Sequence, residues 1–517
     1  MTKVILTAPA TEMSEYNGNP AIAFVAGFPK PLLLPRTFLT KNLYRAIESD
    51  YSGARCAPLG LRRIEASLID SNLFKENDVA VVHPDNLEEA VDETTRVIGI
   101  GVKDPLGLGY VSLTYSTLLG LGEPVNRYEF FKLLKMAREL KSRYDLSIVV
   151  GGPGVWQLYM HSNVKDLGID VIVDGEGETV APKLFADIIE GRPVERIVKG
   201  DTTPVDAIPC IRGATIYGAV EISRGCGRGC MFCTPTMQVR RDIPLEKIMR
   251  DVEVNLENGQ NKALLITEDV FLYGAKIPWE PNRDAIEKLI DSVTKVRSRG
   301  LEYIQITHLN LAAARYRKDI LESISDKLYE FAWYRFRGNL VNTVEVGIES
   351  GSPKIIARYM RGKTLPYRPE DWPSVVLDSL TLLEENGWIP LATIIVGMPG
   401  EDVDDAYRTL SLIEDICRQG LRTFLVPLLF VPLGGSLLKD QPIRSFNELN
   451  EVQISIFSEC WKHNTRVWSV EHFKSYSYIR KKILRILAGI YLATVAKEYR
   501  WRKKIATEIY KELVSHL

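Results

Sequence analysis

The sequence predicts an α/β protein in three parts: a Rossmann-like doubly wound domain over residues 1–205, a (β/α)6 partial barrel over 206–440, and a helical C-terminal region over 441–517. Three observations carry this reading. Short apolar runs that end at Gly, Pro or acids alternate with helical patterns through the first 200 residues. Six further runs follow, separated by helix-length segments, between Ala219 and Ser436. Beyond them the alternation stops.

In the first part the runs are VILTAP (4–9), DVAVVH (78–83), RVIGIGV (96–102), LSIVVGG (146–152) and DVIVDGEGE (170–178). LRRIEASLI (61–69) and YEFFKLLKMARELKSRY (128–144) read as helices between them. Strands this uniformly apolar belong in a parallel sheet covered by helices on both faces. A ligand of such a sheet sits beyond the carboxyl ends of the strands, where glycines gather here, among them Gly101, Gly151, Gly152, Gly175 and Gly177. Positions 201–213, with Pro204, Pro209 and Gly213, read as a linker.

The second part supplies AVEISRGC (219–226), ALLITED (263–269), YIQITHLN (303–310), TVEVGIESGS (343–352), LATIIVGMPGE (391–401) and TFLVPLLFVPLGGS (423–436). Six β/α units suggest a partial parallel barrel with functional groups at the strand ends. No internal repeat at a solenoid period is present.

The third part is basic. Segment 478–517 holds ten Lys/Arg against three acids, a charge of +7, leaving −8 for the remainder of a chain whose net charge is −1. Within it, KKILRILAGIYLATVAKEYRWRKK (481–504) sets Ile483, Leu484, Leu487, Ile490, Tyr491 and Val495 near one helical face. Its apolar centre is too short to span a bilayer; it suits a membrane surface or packing on the barrel.

An apolar content of 45% and a charged content of 25% are ordinary for a soluble protein of 517 residues. The near-zero net charge argues against nucleic acid as a partner. No secretory signal is evident, since MTKVILTAPA moves straight into a strand pattern. Seven cysteines without a paired framework fit a reducing compartment, so the expected location is cytoplasmic, peripheral on the inner membrane face if the basic tail docks there.

ISRGCGRGCMFCTP (222–235) places Cys226, Cys230 and Cys233 in one loop directly after the first barrel run. Gly225, Gly227 and Gly229 let that loop curl tightly. A cubane iron–sulfur cluster has four irons, so three thiolate ligands leave one iron open. Structural zinc wants a closed fourth position, and the nearest candidates, Cys210 and His308, are distant in sequence.

CGRGCMFC resembles the radical S-adenosylmethionine (SAM) superfamily in its CxxxCxxC spacing and in Phe232 before the last cysteine. The resemblance implies one 4Fe-4S cluster on Cys226, Cys230 and Cys233. Its open iron would chelate the amino and carboxylate groups of SAM. Reduction of the sulfonium then releases methionine and a 5′-deoxyadenosyl radical that abstracts hydrogen from an unactivated carbon. A small electron donor such as ferredoxin is the implied partner, and no catalytic side chain is assigned beyond the cluster. Phe232 would lie at SAM. ITED (266–269) occupies the place of a Gly-Gly-Glu turn, nominating Glu268 for the amino group, although its two glycines are missing. GIESGS (347–352) nominates Glu349 and Ser350 for ribose and carboxylate, and VGMPGE (396–401) nominates Gly397 and Pro399 for adenine.

VVGGPG followed by DVIVDGEGE resembles the cobalamin-binding domain that precedes many radical SAM enzymes. Gly151, Gly152, Gly175 and Gly177 would admit the nucleotide tail. The DxHxxG loop that supplies an axial histidine is absent, so cobalamin is an optional cofactor here and a structural role for the domain is the alternative. ITHLNLAAA (306–314), GIESGSPKIIARYMRGK (347–363) and ENGWIPLATIIVGMPGE (385–401) resemble the archaeal ring synthases of tetraether membrane lipids. That resemblance implies hydrogen abstraction and cyclopentane-ring formation on an isoprenoid lipid at the membrane surface. The alternatives are a cobalamin-dependent radical SAM C-methyltransferase and, from another class, a non-catalytic iron–sulfur or lipid-binding protein. Cys56, Cys210, Cys417 and Cys460 lack a paired motif, so a single cluster is expected.

Overall fold

Six parallel strands form the first sheet: β1 (Val4–Thr7), β2 (Val79–Val81), β3 (Val97–Gly101), β4 (Ser147–Gly151), β5 (Val171–Gly175) and β6 (Ile197–Gly200), in the order β2-β1-β3-β4-β5-β6. This is a computed structural model, which describes residues 2–30, 35–277, 279–469 and 478–516. Alternate side chains serve two cores. Val4, Leu6, Val97, Val149 and Val171 pack on one face, and Ile5, Ile98, Ile148 and Ile172 on the other. Helix α1 (Leu59–Asp70) covers the first face and α3 (Val125–Arg143) the second, through Leu61 and Leu68 and through Phe130, Leu133 and Leu134. Strand β6 has no apolar run to announce it, because IVKG is a half-buried edge carrying a lysine.

The order reverses between β1 and β3, the place where open α/β sheets take ligands. Here Glu12 fills it. Its carboxylate accepts the Lys103 N–H at 2.9 Å, and burial raises its pKa to about 7 against the lowering effect of Lys103.

The barrel has the six parallel strands its sequence predicts: β7 (Ala219–Glu221), β8 (Lys262–Ile266), β9 (Tyr303–Ile306), β10 (Glu345–Glu349), β11 (Leu391–Val396) and β12 (Phe424–Leu429). Two three-stranded halves meet at a single bridge, His308 to Glu345. Glu345 N–H donates to Thr307 O at 2.8 Å and Leu309 N–H to Glu345 O at 3.2 Å.

A partial barrel leaves an open edge on its last strand. Helix α2 (Tyr110–Leu119), reached from β3, supplies part of the cover: Thr114 Oγ1 accepts from Leu429 N–H at 2.9 Å and Tyr115 OH donates to Pro427 O at 3.1 Å. Asn464, at the end of α4 (Glu451–Asn464), bonds both backbone groups of Leu425. The first domain and the C-terminal helices thus complete the barrel wall.

After a loop over 441–450 that holds one short turn of helix, the described C-terminal residues are mainly helical, with α4, α5 (Tyr478–Ala493) and α6 (Arg500–His516). Arg502 is buried and donates to Thr117 O at 2.8 Å, at the end of α2. Trp501 stacks on Phe446, centroids 4.4 Å apart. Among the described residues no helix is long and apolar enough to cross a membrane.

Candidate functional site

The cysteine loop follows β7 and is folded by its glycines. Gly225, Gly227 and Gly229 all have φ between +72° and +78°, the left-handed region that other residues avoid. A Cβ on Gly225 would also come within 2.7 Å of Gln238 O. The loop is clamped from outside. Arg228 is buried and donates from Nε to Asp269 Oδ2 at 3.0 Å, with Nη1 reaching Gly362 O at 3.3 Å. Met231 N–H donates to Tyr359 O at 2.9 Å. Asp269 also accepts from the N–H groups of Phe271 and Asn310, so one carboxylate ties the loop to the ends of two barrel strands.

Cys226, Cys230 and Cys233 line one cavity of about 320 Å³ at the carboxyl ends of the strands. Burial pushes all three thiols up, Cys230 to about 11. They surround a space without converging on a single-ion site, and no such site of three His, Cys, Asp or Glu occurs among the described residues. Thiols spread in this way suit a multi-iron cluster better than one zinc ion. The other four cysteines are unpaired and apart from the cavity.

Around the thiols the cavity presents Glu268, Asn310, Glu349, Lys363 and Tyr110. Glu349 sits at φ +60° where β10 ends. Its carboxylate takes Lys363 Nζ at 2.6 Å and Thr393 Oγ1 at 3.1 Å. Burial opposes charge on Lys363, but Glu349 and Cys230 outweigh it and raise its pKa, which keeps a cation beside the thiols. Asn310 Nδ2 holds the Lys363 carbonyl at 3.0 Å. Tyr110 enters from the first domain, and burial, Glu349 and Cys233 together raise its pKa.

The same lumen continues downward. Side chains that alternate along each strand face one side, and Leu391, Thr393 and Ile395 on β11 and Phe424, Val426 and Leu428 on β12 span two levels. The lower level is a second cavity of about 410 Å³ with an apolar lining that includes Phe28, Val344, Leu391, Phe424 and Trp461. Glu345 lines both. It pairs with His308 at 3.1 Å, while His308 Nδ1 lies 3.0 Å from Thr267 O. Burial would lower the His308 pKa, but Glu345 and Glu268 raise it to about 9. The His308–Glu345 ion pair therefore stands where the upper chamber, with its charged side chains, meets the apolar lower one.

Residues 220–413 match the family model described as the Radical SAM superfamily. The chain carries a radical SAM domain. The chain is similar, at 26% identity over 206 residues, to tRNA-2-methylthio-N(6)-dimethylallyladenosine synthase of Fusobacterium nucleatum, covering 40% of this chain and 42% of that one. An uncharacterized methyltransferase of Pyrococcus horikoshii is 21% identical over 393 residues, 70% of this chain and 74% of its own. For the first of these relatives the match spans less than half of the relative's length. Among solved structures, the radical S-adenosylmethionine methyltransferase TsrM from Kitasatospora setae, with cobalamin and a [4Fe-4S] cluster bound, superposes with a TM-score of 0.51 at 15% identity, over 84% of this chain and 74% of that one. The fold is shared.

Of the residues nominated for SAM, Phe232, Glu268 and Glu349 line the cavity with the three cysteines. Ser350, Gly397 and Pro399 are not among its lining residues. Ser350 is fully buried against Thr409 at 3.2 Å. Gly397 N–H donates to Glu401 at 2.7 Å, and Pro399 O accepts the Tyr359 hydroxyl at 2.7 Å. These two turns shape the strand ends by packing. Lys363, Asn310, His308 and Tyr110 were missed. The ITHLN stretch at a strand end was a usable signal for His308 and Asn310, whereas Tyr110 had none, lying in another domain.

The glycines expected to cradle a cobalamin tail differ in their surroundings. A Cβ on Gly152 would lie 2.7 Å from Val102 O, one on Gly175 would strike Gly200 O, and one on Gly177 would reach Ile64 Cδ1 at 2.8 Å. Only Gly151 meets ordinary contacts, with Val173 Cβ at 3.7 Å. Backbone passes close to two of the four, Gly152 and Gly175.

Proposed function

We propose that this chain is a radical SAM enzyme of the group-transfer kind, with C-methylation favoured over ring closure. The observation that carries the first half is the set of three thiols around one cavity that also presents Glu268, Glu349, Lys363 and Asn310. The relatives support the second half, since those named above carry methylthio- and methyltransferase descriptions.

Cys226, Cys230 and Cys233 would hold a 4Fe-4S cluster. Such a cluster, when bound and reduced by a small donor such as ferredoxin, cleaves the sulfonium of SAM. The protein's own part is positional. Arg228 and Asp269 fix the loop that carries the ligands. Lys363 stands beside the thiols and locks the Glu349 carboxylate, while Asn310 holds the Lys363 backbone in place, leaving Glu268 to meet the amino group of SAM. Phe232, Leu428, Leu433 and Tyr110 close the chamber against water, which protects a reactive intermediate from side reactions. Cobalamin is an optional cofactor of this reading: backbone closes in on Gly152 and Gly175, whereas Gly151 meets only ordinary contacts.

A second reading is ring closure on an isoprenoid membrane lipid, and the apolar lower chamber supports it: a saturated chain could lie in the lumen with one carbon where the two chambers meet. Anaerobic protein reconstituted with iron and sulfide, given SAM with a deuterated methyl group and a reductant, separates the two. Label in the product supports methyl transfer. Unlabelled product two hydrogens lighter per ring, with 5′-deoxyadenosine, supports ring closure. Intact SAM under strong reductant overturns both and leaves a non-catalytic iron–sulfur protein. Cobalamin measured in the same preparation tests its involvement directly.

A further inference from the structure

Helix α5 carries Ile483, Ile486, Leu487 and Ile490 on one face, at i, i+3, i+4 and i+7, and each is between 49% and 56% exposed. Single exposed aliphatics are unremarkable, but four in a row on one helix form a patch of the kind that marks an interaction site. The helix is held from its other side. Tyr491 OH donates to Leu119 O at 3.1 Å, and Gly489 faces the Tyr510 hydroxyl. The apolar face therefore points outward on a docked helix.

Charge decides what fits it. From residue 478 to 497 the chain has five Lys/Arg and no Asp or Glu. Lys482 and Arg485 are exposed alongside the apolar residues. We infer that α5 docks the protein on an anionic lipid bilayer, lying in the plane of the headgroups with its four aliphatics inserted. At 16 residues the helix is about 24 Å long, short of the ~30 Å hydrocarbon core, and Arg485 interrupts its apolar stretch. It can lie on a membrane but not cross one. A second copy of the chain fits less well, since a two-fold pairing would bring Lys482 and Arg485 of each copy against the same cations.

The inference stands apart from the reaction proposed above. Its test is sedimentation of the full-length protein with phosphatidylglycerol/phosphatidylcholine vesicles and with phosphatidylcholine vesicles alone. Binding to the anionic vesicles, falling as salt is raised, is expected. The double variant Ile486→Asn/Leu487→Asn should lose at least about tenfold in binding, with iron content and melting temperature unchanged. Lys482→Gln should weaken the anionic preference about fivefold. Failure of the wild type to sediment, or unaltered binding by the double variant, overturns the proposal. So does a wild-type dimer that the double variant converts to monomer without any vesicle binding.

Discussion

Arg228 and Asp269 stand 41 positions apart in the chain and form a buried ion pair, Nε to Oδ2 at 3.0 Å, that joins the cysteine loop to the end of β8. Removing one partner of such a pair leaves an uncompensated charge and costs about 3–5 kcal/mol. Asp269→Ala should therefore lower the melting temperature and, because the loop loses its clamp, reduce iron retained per chain. Arg228→Met/Asp269→Asn, which keeps Oδ1 as acceptor for the Phe271 and Asn310 N–H groups, should recover most of the melting temperature while iron retention stays impaired. Equal recovery of both would mean that the pair stabilises the fold without positioning the loop.

Replacing any one of Cys226, Cys230 and Cys233 by Ala should abolish the visible absorbance of the reconstituted protein. Ala at Cys56, Cys210 or Cys417 should leave iron content unchanged, as these thiols lie away from the cavity. Loss of iron in the second group would contradict a single cluster.

Lys363→Met should weaken SAM binding. The substitution leaves the buried Glu349 carboxylate without its 2.6 Å partner, an uncompensated charge that no longer holds its place in the chamber. Calorimetric titration with SAM on the reconstituted protein is the check, with a loss of about tenfold or more expected. Glu349→Gln with Lys363→Met should bind no worse than Lys363→Met alone, because the two side chains act as a unit.

The His308–Glu345 pair makes stability depend on pH. With the folded pKa of His308 near 9 against an ordinary value of 6.5, the folded chain holds a proton that the unfolded chain releases between those values. The stabilisation is full below about pH 6.5 and is lost as pH rises through 9. The melting temperature should fall across that window, and Glu345→Gln should flatten the slope. A wild-type profile flat from pH 7 to 9.5 would refute the pairing.

Tyr110→Phe should leave folding nearly unchanged, since the hydroxyl is buried without a hydrogen bond of good geometry. Turnover should fall, because the only polar atom this side chain offers the chamber is gone. Tyr110→Ala should instead open the chamber, seen as more SAM cleaved without product. If both variants turn over like wild type, the first domain contributes nothing to the site.

Much of the architecture is legible in the residues because parallel strands are written as short apolar-rich runs, unbroken in the first sheet and alternating where a barrel strand faces the lumen, and eleven of the twelve sheet and barrel strands show one. The cysteine loop is equally plain: metal ligands on a single turn are fixed by local spacing, and the glycines between them by a backbone that must curl. The edge strand β6 escapes notice because half-buried edges carry no such signature. The small size of Gly152 and Gly175 is visible, but not its cause, since a glycine emptied for a ligand and one emptied for a neighbouring strand look alike in one dimension.

By itself, then, the sequence determined the order of β and α units, the three thiolates and their loop, and the charge of the tail. Tertiary structure decided which polar groups meet them. Lys363, Tyr110 and the pair His308 and Asn310 come to the cavity of the thiols from three separate segments, and Ser350, next to Glu349 in sequence, turns into the packing instead. Side-chain direction at a strand end depends on whether the residue falls inside or outside the closed lumen, and only the closing of the barrel by α2 and α4 defines which side is in. Folding likewise separated the two faces of α5, seating Tyr491 on the α2 carboxyl end and leaving the isoleucines to the outside.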